Sequence, residues 1–366
     1  MLSLAAITST VARDVTPDEW WETRGPAIQS AMDASLPPDV AVKRAAKARK
    51  GTPPPDTWYP PQDWRPPPPP PPIPQWTGEF GGRYWFSSGS TELDLHAADS
   101  FTPLVSRLTY TNIQAHSGEA FGRVEHLSGF FVKGFAGGGA ITTGNLQDED
   151  FPPVILPSPI GPIATPYSST NSDQRDGRLA YATIDTGWTW RGDASKLGFF
   201  VGYNYFHELV NAFGCTQNAA NPFICAPPVP TSVLGITEEW NWNAIRLGFN
   251  GEWRFWGGFA FDLDFAWLPH VWLNGSDTHE LRSFTAPEGG SSSFSSVQLD
   301  ALLRYQFING LSLGIGVRYW KLNTSFGEIF NVGDLGFTQS ISVSTERWGP
   351  LFQASYKFGE LRPSRY

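Results

Sequence analysis

Apolar and polar residues alternate along most of the chain beyond Trp76. Val297, Leu299, Ala301, Leu303, Tyr305 and Phe307 are interleaved with Gln298, Asp300, Leu302, Arg304 and Gln306. Ile308-Asn309-Gly310 then gives a tight-turn signal. Beyond it Leu311, Leu313, Ile315, Val317 and Tyr319 alternate with Ser312, Gly314, Gly316 and Arg318. Phe259, Phe261, Leu263, Phe265 and Trp267 alternate likewise with Ala260, Asp262, Asp264 and Ala266. A period of two gives each segment one apolar and one polar face, as in a β-strand.

Length separates this pattern from a soluble sandwich. The segments run 11 to 16 residues or more, against about five or six in ordinary globular strands. That is enough to cross a bilayer at a tilt. Aromatic residues collect at segment ends: Trp188 and Trp190, Trp240 and Trp242, Trp267 and Trp272, Tyr319 and Trp320. Membrane-interface girdles belong there. In lipid, a closed barrel is the β-structure that satisfies every backbone group. The pattern therefore predicts an all-β fold, a ten-stranded antiparallel transmembrane β-barrel.

The strands are expected near 78–93, 103–126, 129–146, 178–190, 197–212, 235–252, 258–273, 294–307, 311–323 and 345–358. Short connections fall at 127–128, 191–196, 254–257 and 308–310. Long ones fall at 94–102, 147–177, 213–234, 274–293 and 324–344. Short and long alternate, which gathers the long loops at one end, the cell-surface end of an outer-membrane barrel.

The part before the barrel is different. Residues 1–52 read as an N-terminal segment with a short helix inside 15–50. Met1–Ala12 is mildly apolar without a basic flank, so it makes a poor signal peptide as written. Residues 53–75 form a Pro-rich linker, with 13 prolines between 53 and 74. Such a run favours extended polyproline II and is expected to be largely disordered as a domain. Residues 76–366 form the barrel.

Charge narrows the function. The 26 basic and 35 acidic side chains leave a net charge of −9. Residues 1–75 hold eight of each, so the acidic excess belongs to the barrel. This argues against a nucleic-acid binder. Two cysteines exclude a disulfide framework, but Cys215 and Cys225 share one long loop, ten residues apart. Outside the cytoplasm a disulfide is their natural state.

Two polar motifs stand at the surface ends of ascending strands. Strand three runs into Gln147-Asp148-Glu149-Asp150-Phe151, and strand seven into Gly275-Ser276-Asp277-Thr278-His279. Side chains at i and i+2 share a face in a strand. Asp148 can thus pair with Asp150, and Asp277 with His279, on roughly opposite walls. A His beside a carboxylate is an oriented general base. Taken alone, such motifs read first as solvated loop charge, with a calcium site from Asp148, Glu149 and Asp150 as a further option.

Over about residues 78–358 the chain resembles the omptins, ten-stranded outer-membrane proteases of Gram-negative bacteria. Val105-Ser106-Arg107-Leu108, Asp148-Glu149-Asp150-Phe151, Val201-Gly202-Tyr203-Asn204 and Asp277-Thr278-His279 carry the resemblance. It implies a hydrolase of the aspartic-type endopeptidase kind with water as nucleophile, cutting after basic residues. His279 would be the base, Asp277 its orienting partner, and Asp148 with Asp150 the facing couple. Glu92 would receive a basic substrate side chain. The resemblance implies no metal and no cofactor, with lipopolysaccharide as an activator. Partners would be peptide or protein substrates and outer-membrane lipid, for a monomer that binds no nucleic acid. Gly275 stands where the family has a further substrate-binding acid, and His207 and Asn241 where it has lipopolysaccharide-binding basic residues. The alternative on the same scaffold is a non-catalytic barrel with a structural, adhesin or narrow-channel role. A ten-stranded lumen should be filled by side chains, which argues against a general porin.

Overall fold

The computed structural model describes residues 74–97, 103–152, 154–156, 163–292, 294–307, 309–325, 329–331 and 338–359. The helix expected within 15–50 and nearly all of the Pro-rich linker lie outside them.

The barrel starts with β1 (Trp76–His96), β2 (Leu104–His126) and β3 (Phe130–Asp150). A small hairpin of β4 (Val154–Leu156) and β5 (Ile163–Thr165) follows. The walls resume with β6 (Ser168–Gln174), β7 (Gly177–Arg191), β8 (Ser195–Gln217), β9 (Val229–Arg254) and β10 (Phe259–His279). They finish with β11 (Phe284–Ser292), β12 (Ser296–Gln306), β13 (Leu311–Asn323), β14 (Ile329–Asn331) and β15 (Thr338–Phe358). Neighbours pair antiparallel, and β15 returns to β1 from Gly78↔Phe358 to His96↔Ser340, closing the ring.

Ten walls result. β6 and β7 both run between β3 and β8, interrupted beside Asp176, whose φ is 56°. β11 and β12 share one wall along β10, and β14 carries the line of β13 upward between β11 and β15. The predicted strand order and short turns are all present.

The strands run further at one end than the polarity pattern indicated. Much of 147–177, 213–234 and 274–293, read as loop, is strand, and β10 meets β11 through a turn at 280–283. Outward positions there are polar, such as Asn145, Gln147 and Asn274. That outer face meets water, so the hydrophobic alternation fades while backbone pairing continues.

Lower down, the outer face is apolar. Phe80, Ile184, Phe199, Val201, Leu313, Ile315 and Val317 are exposed on it. In water such a belt would be a liability; in a bilayer it is the lipid-facing band. Trp188 and Trp190 border it toward the short turns, and Tyr203 packs with Trp272 toward the mouth. Trp240, Trp242 and Trp320, expected in a girdle, are instead buried inside the lumen. Strand parity decides this, because they share the inward face of their strands.

Aromatic side chains close the lumen around Trp320. Trp320 packs against Trp85, Tyr181 and Phe206, with ring centroids 5.1, 5.2 and 5.7 Å away. Arg318 lies against this aromatic layer and bonds Glu119 at 2.6 Å and Asp300 at 2.7 Å. Toward the short turns Arg304 bonds Asp262 and Glu252, both at 2.6 Å. Asp262 with Arg304, and Asp300 with Arg318, are thus structural ion pairs inside the lumen. At the mouth, Cys215 is disulfide-bonded to Cys225 with Cα atoms 5.7 Å apart, tying the end of β8 to the segment before β9.

Candidate active site at the barrel mouth

Two register shifts aim the candidate residues. On β2 and β3 the pairing slips between Thr111 and Ala115, where Asn112 has φ 54°. Below the slip Ile141 points inward; above it Gly144 and Leu146 do. On β10 it slips between Trp267 and His270. Below it Ala266 and Leu268 point inward, above it Val271 and Leu273. Each bulge reverses parity, as a single inserted residue must. Without them Glu149, Ser276 and Thr278 would face the lumen. With them Asp148, Asp150, Asp277 and His279 do.

The imidazole Nε2 of His279 lies 2.9 Å from Oδ2 of Asp277. The ring stacks on Phe284, its cross-strand partner, with centroids 4.6 Å apart. Asp277 is buried, while His279 keeps an open edge toward the mouth. With Nε2 held by the carboxylate, Nδ1 is the nitrogen left for a water. The conjugate pair on β3 is close by. Burial pushes the Asp148 carboxyl well above the usual range, and the charges of Asp150 and Asp277 push it further. Burial also raises Asp150, against the pull of Arg282, a hydrogen bond with Ser106 and the His279 charge. Asp148 thus feels the Asp277 charge and Asp150 the His279 charge, as two acid-bearing walls facing each other at the mouth would.

Glu92 does not join them. It alternates with buried Thr91 and Leu93, so it faces outward, 3.9 Å from Arg107, which bonds Asp94 at 2.6 Å. Glu149 also faces outward and accepts from Tyr167 at 2.5 Å, so Asp148, Glu149 and Asp150 do not converge on one point. Among the described residues, no group of three or more His, Cys, Asp or Glu is arranged to hold a metal ion. On the outer face His207 Nδ1 lies 3.1 Å from Asn241, which accepts from Tyr205 at 2.7 Å.

Sequence reasoning missed the floor of the cleft. Glu238 pairs across the sheet with Asp277, and Glu288 with Gly275. Counted up from the turn at 255–258, Thr237 would oppose Asp277; the bulge substitutes Glu238. Tyr110 donates to Glu238 at 3.2 Å, and Trp240 donates to Glu288 at 3.2 Å. A side chain at Gly275 would begin 2.5 Å from the Glu239 carbonyl oxygen and 3.5 Å from a Glu288 oxygen. Glu288 therefore brings an acid to the inner side of Gly275.

This fold and its lipid-facing belt define an outer-membrane β-barrel. No protein-family model matches the chain, and no curated protein matches it. Among solved structures it is similar to the outer-membrane protease OmpT of Escherichia coli. The TM-score is 0.60 at 11% identity, over 77% of this chain and 97% of that one. That likeness shows the fold. A FadL homologue of Pseudomonas aeruginosa aligns over 77% of this chain and 90% of its own, at 8% identity and a TM-score of 0.27. Ail of Yersinia pestis aligns over 77% and 99%, at 9% identity and 0.24. Those two scores are too low to bear on the fold.

Proposed function

We propose that the chain is an omptin-like outer-membrane endopeptidase that cuts peptide bonds after basic residues. The observation that carries this reading is the Asp277–His279 hydrogen bond of 2.9 Å, facing a second acid pair at the same mouth of a closed barrel. In this reading His279 takes a proton from water as the oxygen attacks the scissile carbonyl carbon. Asp277 holds the ring and stabilises the imidazolium. Asp148, pushed up by burial, stays protonated and donates to the carbonyl oxygen as negative charge develops there. The Asp150 charge on the same strand face helps keep that proton on Asp148. The imidazolium then protonates the leaving amine as the C–N bond breaks.

The acid-lined mouth of a chain with net charge −9 favours cationic peptides. With Glu92 outward, that preference rests on the cleft acids instead. The aromatic layer around Trp320 fills the lumen beneath the site, which weighs against the narrow-channel alternative. The functional unit is a monomer in outer-membrane lipid with its long strand ends at the cell surface. Steady-state cleavage of peptides with and without basic residues, by refolded protein in the presence and absence of lipopolysaccharide, tests the reading. Turnover confined to basic peptides supports it; absence of turnover in every lipid condition refutes it.

A further inference from the structure

We propose that Glu238 and Glu288 form a proton-sharing carboxyl pair in the floor of the cleft, and that this pair positions Asp277 as the anionic partner of His279. Glu238 is 0% exposed and Glu288 5%. On the inward face they flank β10, Glu238 opposite Asp277 and Glu288 opposite Gly275, close enough for each to act on the other's carboxyl. Each already uses one oxygen: Tyr110 donates to Oε2 of Glu238 and Trp240 to Oε2 of Glu288. The other oxygens, Oε1 of each, are buried without a donor, as is Oδ1 of Asp277 above them.

An ionised carboxylate only accepts hydrogen bonds. Two of them in buried contact lack a donor between them and repel, so one binds a proton. No cation among the described residues supplies an alternative. Neither glutamate has an ion-pair partner, Arg282 acts on Asp148 and Asp150, and Arg347 deeper in the lumen is taken by Glu208. The titratable groups acting on the pair are Tyr110 from β2 and Asp277, the partner of His279, from β10; Asp148 from β3 acts on Tyr110. Burial, then the Asp277 charge, raises Glu288 to about 8, and burial with the Glu288 charge raises Glu238 well above its usual value.

One shared proton leaves a single negative charge in the floor. Its loss to bulk water adds a second negative charge beside the Asp277 carboxylate, and the repulsion pushes that carboxylate off the geometry that holds the His279 ring. The effect on cleavage rests on the endopeptidase reading; the shared proton does not.

An infrared pH titration of the full-length refolded protein tests this, with glutamate-selective ¹³C labelling to separate glutamate from aspartate. The expected result is a protonated-glutamate carbonyl band that titrates away near pH 8 in wild type and is lost in Glu288→Gln. Peptide turnover, scaled to each protein's own value at neutral pH, should show an alkaline fall in wild type that Glu288→Gln abolishes. Glu238→Gln serves as the second variant, and the labelled wild type needs neither. Absence of the glutamate band at neutral pH overturns the pair whatever the activity. An unchanged alkaline fall in both variants overturns the positioning role. The band without any turnover leaves the pair standing and removes the protease reading instead.

Discussion

Oδ2 of Asp277 lies 2.9 Å from Nε2 of His279, two residues further along the same inward face of β10. Both side chains belong to one strand above a bulge, so their spacing is fixed by backbone geometry, and Phe284 clamps the ring from the adjacent strand. His279→Ala should lower kcat by about 10²–10⁴-fold, the usual contribution of a general base. Asp277→Asn should lower kcat more than it changes KM, because it removes stabilisation that grows as the ring becomes cationic. Steady-state kinetics on a basic peptide checks both.

Asp148 should behave as a protonated acid. Asp148→Asn, which keeps a donor, should retain more turnover than Asp148→Ala, whereas a carboxylate role would make the two equally damaging. The comparison is of kcat at neutral pH.

Stability should fall with rising pH. Asp148 and the Glu238–Glu288 pair each bind one proton more tightly in the folded chain than in the unfolded one. Their contribution is complete below the unfolded carboxylate range, near pH 4. It is lost as pH rises toward the folded values, about 8 for Glu288. Each group costs up to about 1.4 kcal/mol per pH unit across its window. Melting temperatures in detergent should decline across this range, and Asp148→Asn and Glu288→Gln should each flatten the slope.

Arg318 bridges Glu119 and Asp300 while fully buried. Arg318→Met removes the shared buried cation and leaves Glu119 and Asp300 with Arg83 alone, 2.8 and 3.9 Å away. The expected loss is about 3–5 kcal/mol, read from denaturant unfolding. A Cys215→Ser, Cys225→Ser double variant should lose no more than about 2–3 kcal/mol, the chain-entropy value for so short a loop. Its lumen network should be intact.

Period-two alternation such as Leu311–Tyr319 made the barrel and its strand order readable, because one face meets lipid and the other the filled lumen. The bilayer writes that contrast, so it stops where the strands leave the bilayer. That is why the upper parts of β8, β9 and β10 read as loops. Asp148, Asp150, Asp277 and His279 were found by spacing and resemblance, but their inward aim depends on two bulges. Continuing the parity of Asp262 and Asp264 along β10 would have put Ser276 and Thr278 inside instead. The same one-residue slip brings Glu238 under Asp277, so the floor acids had no local signature. Glu92 shows the converse: its position near the strand top suggested a substrate contact, and its parity turns it outward beside Arg107. Trp240 and Trp242 looked like girdle residues for the same reason, since composition at a strand end does not reveal which face a side chain takes.

The most direct measurement is turnover of a dibasic peptide and its neutral counterpart by refolded wild type and His279→Ala, with lipopolysaccharide present and absent. The account predicts cleavage after the basic residue by wild type, little of the neutral peptide, and near-complete loss in His279→Ala. Equal turnover by the two proteins, or none by wild type under any lipid condition, would contradict it.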